Sequence, residues 1–187
     1  MIKTLYFVRH GQTRFNLYQK VQGACDSPLT DLGIEQAKAA RQYFLKNNIN
    51  FDLAFVSPQN RARDTLEIIT DQSYTCLKEL KEKDYGVMEG EAVRLLPWKY
   101  SSTTSYPSME PNENVLARME KAVEIILNKM NDGQSALVVG HGNALGRYIH
   151  QDIDNTDFPY LENCSIVKVD YENMMPTFRE HVVPMRS

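Results

Sequence analysis

Thr4-Leu5-Tyr6-Phe7-Val8-Arg9-His10-Gly11 sets the architecture. Residues 4–8 are apolar, β-branched or aromatic without polar alternation, which predicts a strand buried on both faces. The pattern recurs at Leu53-Ala54-Phe55-Val56-Ser57, followed by Pro58 and a helix through about Ile69. It recurs again at Ala136-Leu137-Val138-Val139, where Gly140-His141-Gly142-Asn143 leads into a helix through about His150. Proline suits a first helical turn because its missing N–H would have no intrahelical partner there, and Ser57 is expected to cap that helix. Between these runs, Leu29-Thr30-Asp31-Leu32-Gly33 opens a helix through about Lys46, with Thr30 as cap and Ala37, Ala40 and Phe44 on one face. A third strand is expected around 74–80. Val115, Met119, Ala122, Val123, Ile126 and Met130 form a helical stripe whose reading is core packing. Two final strands, 165–170 and 177–183, flank a turn at 172–176. Strands alternating with helices predict a three-layer α/β/α sandwich with a mostly parallel central sheet. Right-handed crossovers then bring the carboxyl ends of the first, second and fourth strands to one rim.

The totals narrow the class. The chain has 187 residues, 42% hydrophobic and 24% charged, with 9 Gly, 8 Pro and 3 Cys. That length predicts a single domain over 1–187 with its own core. Twenty-one basic and 24 acidic residues leave a formal charge of −3, which argues against broad nucleic-acid or anionic-membrane binding. The amino-terminal apolar run is too short for a signal peptide, and no stretch approaches the roughly 20 apolar residues of a membrane span. Cys25, Cys76 and Cys164 are odd in number and lack a CxxC pair, so neither a disulfide framework nor a zinc site is indicated. They are expected to be buried packing residues, in a chain read as cytoplasmic.

The rim carries the chemistry. Arg9-His10-Gly11, Ser57 with Arg61, and Gly140-His141-Gly142 all follow strands, where open α/β sheets bind ligands. Two arginines and two histidines suit a dianionic group, arginine through a fork of donors that fits phosphate oxygens. Gly11 and Gly142 are expected to let backbone approach a ligand. Taken singly, each residue also has a purely structural reading, and Glu82 lies in the charged run 78–84. No third His or carboxylate stands at ligand spacing from His10 and His141, so no metal site is read. Ser57 is outside a GxSxG elbow. Gly140, Gly142 and Gly146 follow a strand as a dinucleotide fingerprint would, but their spacing is GxGxxxG.

Arg9-His10-Gly11-Gln12-Thr13 with Asn16 resembles the RHGxT signature of the histidine phosphatase superfamily, which includes cofactor-dependent phosphoglycerate mutases. The resemblance continues through Gln22-Gly23, Asp26–Thr30, Gly33 and Gln36-Ala37. It goes on through Ser57–Ala62 with Thr65, Leu80–Gly86 with Glu89-Gly90, Val139–Asn143 and Asn163–Ile166. It implies that His10 accepts the phosphoryl group as a neutral imidazole. It also implies that Arg9, Arg61 and His141 hold the equatorial oxygens, and that Glu82 protonates the leaving alcohol and then activates water. The resemblance further implies that Asn16, Thr13, Gln22, Gly23, Gly142 and Asn143 complete the phosphate or substrate contacts. No metal or other cofactor is implied.

Mutases of this family have paired arginines for a substrate carboxylate, which find no counterpart in 91–112, and the chain is short for a mutase. A phosphomonoesterase acting on a small phosphorylated metabolite is therefore expected, as a monomer or homodimer. The alternatives are a mutase using 2,3-bisphosphoglycerate and a non-catalytic phosphate-binding protein. Residues 86–112 read as a cap-like insertion shaping the pocket; Tyr85, Trp98, Tyr100 and Tyr106 either line a wall or pack the insertion onto the body.

Overall fold

The computed structural model describes residues 1–96, 108–153 and 161–186. Its sheet runs β3-β2-β4-β1-β5-β6, from β1 (Lys3–Arg9), β2 (Leu53–Val56), β3 (Thr75–Cys76), β4 (Ser135–Gly140), β5 (Ile166–Glu172) and β6 (Met175–Val182). β1, β2, β3 and β4 pair in parallel, and β5 and β6 add an antiparallel edge. The fold is thus α/β with a mixed, mostly parallel sheet.

The unbroken apolar run in β1 is explained by helices on both faces. Successive side chains of a strand point to opposite sides. Leu5 and Phe7 join one core with α4 (Asn112–Lys129) and α5 (Gly142–Tyr148), while Tyr6 and Val8 join another with α2 (Asp31–Lys46) and α3 (Asn60–Ile69). All six residues of the helical stripe are buried in the first core, as expected of packing positions. Thr30 caps α2 by accepting from the Gly33 N–H.

Register aligns the rim. Arg9 pairs with Gly140, and Val56 with Val139. The next residues continue the ladder, with His10 N–H donating to Gly140 O at 3.0 Å and Ser57 N–H to Val139 O at 3.1 Å. His10, Ser57 and His141 therefore leave the sheet side by side.

Several expectations are corrected. The third strand is only Thr75–Cys76, because Lys78–Leu80 turns as a 3-10 segment that tucks Leu77 and Leu80 into the core. Helix α3 starts at Asn60 with Gln59 as its cap residue, so Pro58 precedes the helix and Ser57 does not cap it. The helix after His141 does reach His150 as expected, since α5 ends at Tyr148 and continues with wider helical turns over Ile149–Ile153. The final strands are longer than expected, because Asn173 and Met174 take positive φ and close a tight turn. Only Cys164 is buried; Cys76 lies exposed on the short edge strand and Cys25 is half-buried in a loop.

Gly11 also differs from expectation. A Cβ there would lie 2.5 Å from Gly33 O, and one on Gly33 would lie 2.1 Å from Gln12 O. Both glycines thus allow the loop after β1 to pack on the first turn of α2, so Gly11's close approach is to protein backbone. Within 86–112, the described part is tied down at Lys20–Ala92 by a β-bridge and by Val21 N–H to Glu91 O at 2.8 Å. Trp98, Lys99, Tyr100 and Tyr106 lie outside the described residues. Among the described residues, no helix is long and apolar enough to cross a membrane.

Candidate active site

His10 is 3% exposed and lies with its ring centroid 5.2 Å from that of His141. Its Nδ1 is 2.8 Å from Gly11 O, and Arg61 Nε–H points at its Nε2 from 3.3 Å. A carbonyl can only accept and a guanidinium N–H can only donate. Both neighbours therefore specify one tautomer, with the proton on Nδ1 and the lone pair on Nε2. Burial, followed by the charges of Arg61 and Arg9, holds the His10 pKa well below 6.5, opposed by the bond to Gly11. The result is a neutral imidazole whose lone pair is on Nε2.

Arg61 is fully buried on the first turn of α3. Its Nη1 donates to Cys25 O and to Asp26 Oδ1, both at 2.9 Å, and its Nη2 to Gly23 O at 2.9 Å. The loop that supplies these carbonyls is itself clamped by Glu89. Its carboxylate accepts from the N–H groups of Gly23, Ala24, Cys25 and Tyr85 at 2.8–3.2 Å. Burial opposes ionisation of Glu89, but the hydrogen bonds win and its pKa is lowered. Arg9 is buried too, with Nη1 on Leu161 O at 2.5 Å.

His141 is the cap residue of α5 and is 0% exposed. Its Nε2 is 2.7 Å from Ser57 Oγ, while its Nδ1 is buried with no hydrogen-bond partner among the described residues. Burial first, then Arg61, His10 and Arg9, lowers its pKa well below 6.5. Glu82 comes from the irregular stretch after Leu80 and docks on the turn that begins α5. Oε1 accepts from Lys83 N–H at 2.8 Å and Ala144 N–H at 2.9 Å, and Oε2 from Asn143 N–H at 2.9 Å. The Gly140–Gly142–Gly146 turn thus holds a protein carboxylate. A Cβ on Gly146 would meet nothing within 4 Å, so no close approach of the described protein atoms requires a glycine there.

The remaining expected residues divide. Asn163 Nδ2 donates to His10 O at 2.9 Å and lies 3.3 Å from Asn16 Oδ1, which brings Asn16 beside His10. Gly23 lends its carbonyl to Arg61, and Asn143 carries Arg147 Nε on its Oδ1 at 3.0 Å. A Cβ on Gly142 would sit 3.1 Å from Arg9 Nε, so its smallness admits the arginine. Thr13 and Gln22 bond to each other at 2.7 Å; Thr13 also caps α1 (Arg14–Leu17), and Gln22 donates to Ser27 Oγ at 3.0 Å. Glu82 also borders a cavity of about 980 Å³ with Ala24, Gln59, Ser108, Glu110 and Arg118, which neither His10 nor His141 lines. Sequence reasoning missed the roles of Ser57, Gln59 and Glu89. Their partners are distant in the chain, and a polar residue in a loop carries no periodic signal. Among the described residues, no group of three or more His, Cys, Asp or Glu could hold a metal ion.

The two neutral histidines make stability depend on pH. Unfolded, each protonates near pH 6.5, whereas the fold resists protonation, so below that pH the unfolded chain binds more protons. Their contribution is complete above about pH 6.5 and is lost as pH falls, at up to about 1.4 kcal/mol per pH unit for each ring. Denaturant unfolding between pH 7.5 and 5 should show this slope, and His141→Gln should shed part of it. A variant with the full wild-type slope would refute the neutral buried pair.

The histidine phosphatase superfamily (branch 1) family model matches residues 5–183. An uncharacterized phosphatase, PhoE, of Bacillus subtilis (strain 168) is 32% identical over 170 residues, covering 89% of this chain and 85% of that protein. A 2,3-bisphosphoglycerate-dependent phosphoglycerate mutase of Sinorhizobium fredii (strain NBRC 101917 / NGR234) is 33% identical over 164 residues, covering 78% of this chain and 77% of that protein. The crystal structure of a phosphoglycerate mutase from Bacillus anthracis str. Sterne superposes with a TM-score of 0.85 at 24% identity, over 96% of this chain and 92% of that one.

Proposed function

The chain belongs to the histidine phosphatase superfamily, branch 1, and on that premise we propose that it is a metal-independent phosphomonoesterase working through a phosphohistidine on His10. Phosphoryl transfer is the chemistry of its relatives; hydrolysis of a small phosphorylated metabolite is our reading for this chain. The observation that carries it is the tautomer of His10, fixed from both sides by Gly11 O and Arg61 Nε. An imidazole held neutral with its lone pair on Nε2, shared there with the long Arg61 Nε–H contact, is a nucleophile ready at neutral pH.

In the first step, His10 Nε2 forms a bond to phosphorus as the ester P–O bond breaks. The departing oxygen takes a proton from Glu82. Of the two Glu82 oxygens, Oε2 carries one N–H bond and Oε1 two, so Oε2 is the better placed to hold that proton. Arg9, Arg61 and His141 would meet the equatorial oxygens, where charge must be stabilised. In the second step, Glu82 takes a proton from water, the water oxygen bonds to phosphorus, and the N–P bond breaks to release inorganic phosphate. Asn16, Gly23, Gly142 and Asn143 shape the pocket, while Thr13 and Gln22 support it from behind. The positive charge comes from side chains, so this route needs no metal ion.

One observation favours a second reading. The Sinorhizobium relative named above is a mutase, and the same phosphohistidine could pass its group to a substrate hydroxyl, with 2,3-bisphosphoglycerate loading the histidine. A panel of phosphate esters assayed in EDTA, beside 3-phosphoglycerate isomerisation with and without the bisphosphate, separates the two. Phosphate release from several esters without isomerisation supports the phosphatase; efficient bisphosphate-dependent isomerisation would overturn it.

Glu82 has its own test. An alkyl alcohol leaves poorly without a proton, whereas p-nitrophenolate leaves unaided. Glu82→Gln should cut kcat/KM for β-glycerophosphate by roughly 10²–10⁴-fold, and for p-nitrophenyl phosphate by far less. Equal loss on both esters would remove Glu82 from the acid role.

A further inference from the structure

Gln59 stands between β2 and α3, 8% exposed, and although it is the α3 cap residue its side chain makes no cap bond. Its amide reaches in two other directions. Nε2 donates to Gly23 O at 2.6 Å and Ala24 O at 3.3 Å, while Oε1 accepts from the backbone N–H of Glu82 at 2.8 Å. Ser57 Oγ, the partner of His141, lies 3.4 Å from the same Oε1. The Gly23 carbonyl is also the one that Arg61 Nη2 holds. A single planar amide therefore joins the loop around the phosphate-binding arginine to the main chain of the proton-donating residue.

Residues 81–85 have no helix or strand to place them. Arg118 on α4 holds the carbonyls of Glu79 and Lys81 from one side. Among the described residues, Gln59 is the hydrogen-bond partner of the Glu82 main chain. The Glu82 side chain is docked separately on the α5 turn, so its carboxyl is set between two anchors. Without Gln59, the backbone anchor goes: the buried Glu82 N–H must find another partner or move, while the Gly23 C=O keeps Arg61.

We propose that Gln59 is a positioning residue that sets the Glu82 carboxyl relative to the phosphate held by Arg61, and so controls proton delivery to the leaving group. The proposal rests on the phosphatase reading with Glu82 as acid. A strut of this kind matters only where a proton must be delivered, which distinguishes it from a general support of the fold. Displacements of about an ångström are enough to cost roughly 10²-fold in a positioned step.

The test uses Gln59→Met, which keeps the volume and loses the bonds to Gly23, Ala24 and Glu82, and Gln59→Asn, which keeps the amide but shortens its reach. For each, kcat/KM is measured with β-glycerophosphate and with p-nitrophenyl phosphate on the same sample. The ratio of the two is independent of the folded fraction. It is expected to fall at least roughly 10-fold in both variants, in the direction of Glu82→Gln. A ratio within about threefold of wild type, whether both activities drop together or neither drops, would overturn the proposal. So would loss of all activity in both variants, which would make Gln59 a folding residue. Failure of the underlying reading looks different: wild type would hydrolyse neither ester, or Glu82→Gln would leave the ratio unchanged.

Discussion

Replacing His10 by alanine is expected to lower kcat/KM by roughly 10⁴-fold or more, with every ester, because it removes the atom that takes the phosphoryl group. The loss should not depend on the leaving group. A variant without the nucleophile cannot be rescued by easier departure, unlike one that has lost its acid. The chemical trace of the intermediate should vanish with the rate. Quenching wild type during turnover of a labelled ester should trap acid-labile phosphate on the protein, and His10→Ala should trap none. The fold has little reason to object, since the ring's hydrogen bonds go to Gly11 O and Arg61, and Arg61 keeps three other bonds. Retained turnover in a folded His10→Ala protein would sink the assigned role.

Arg61→Ala should damage both activity and stability, which sets it apart from His10→Ala. Its guanidinium donates to His10, Cys25 O, Asp26 and Gly23 O. Truncation strands the Cys25 carbonyl and the His10 lone pair and takes the charge partner from Asp26, while Gly23 O keeps Gln59 and Asp26 keeps the N–H groups of Ser27 and Asn60. Breaking a buried charged pair from one side costs about 3–5 kcal/mol, and Asp26, which stays partly solvated, keeps the value toward the lower end. Removing a charge that meets the phosphoryl oxygens should add a rate loss on the order of 10³-fold. Arg61→Lys separates the two effects. An ammonium keeps the charge, but it is a compact point and cannot span acceptors arranged around a planar fork. It should restore part of the stability yet remain roughly 10²-fold slow. Denaturant midpoints and kcat/KM on one preparation check both parts, and full activity in Arg61→Lys would show that charge alone matters.

The features legible in the sequence are those that repeat or terminate. Unbroken apolar runs marked β1, β2 and β4 because parallel strands covered on both sides leave no polar face to show. Polar residues at the ends of those runs marked the rim, and register then brought His10 and His141 together. Thr30 and the stripe from Val115 to Met130 were readable because capping and helical period are local properties. What stayed hidden depends on partners far along the chain. Glu82 sits among six neighbours of which four are charged, and nothing there separates a solvated carboxylate from one docked on Asn143 and Ala144. Ser57 looked like a cap because it follows a strand and precedes a helix; its bond to His141 spans 84 positions. The brevity of β3 was masked for a related reason. Leu77 and Leu80 are apolar enough for a strand, but they reach the core from a 3-10 turn.

The Glu89 clamp has an electrostatic consequence. In the peptide unit between Gly23 and Ala24, the N–H faces the Glu89 carboxylate and the C=O faces Arg61. The group's dipole of about 3.5 D is thus aligned between an anion and a cation, its positive end toward the first and its negative end toward the second. The two charges behave as an ion pair with a polarised peptide as spacer. Part of the compensation for Arg61 therefore arrives as partial charge on carbonyls, while the full negative charge of Glu89 stays one peptide away. Asp26, 2.9 Å from Nη1, supplies the direct contact, so Arg61 is balanced by one touching charge and by a second one relayed through a peptide.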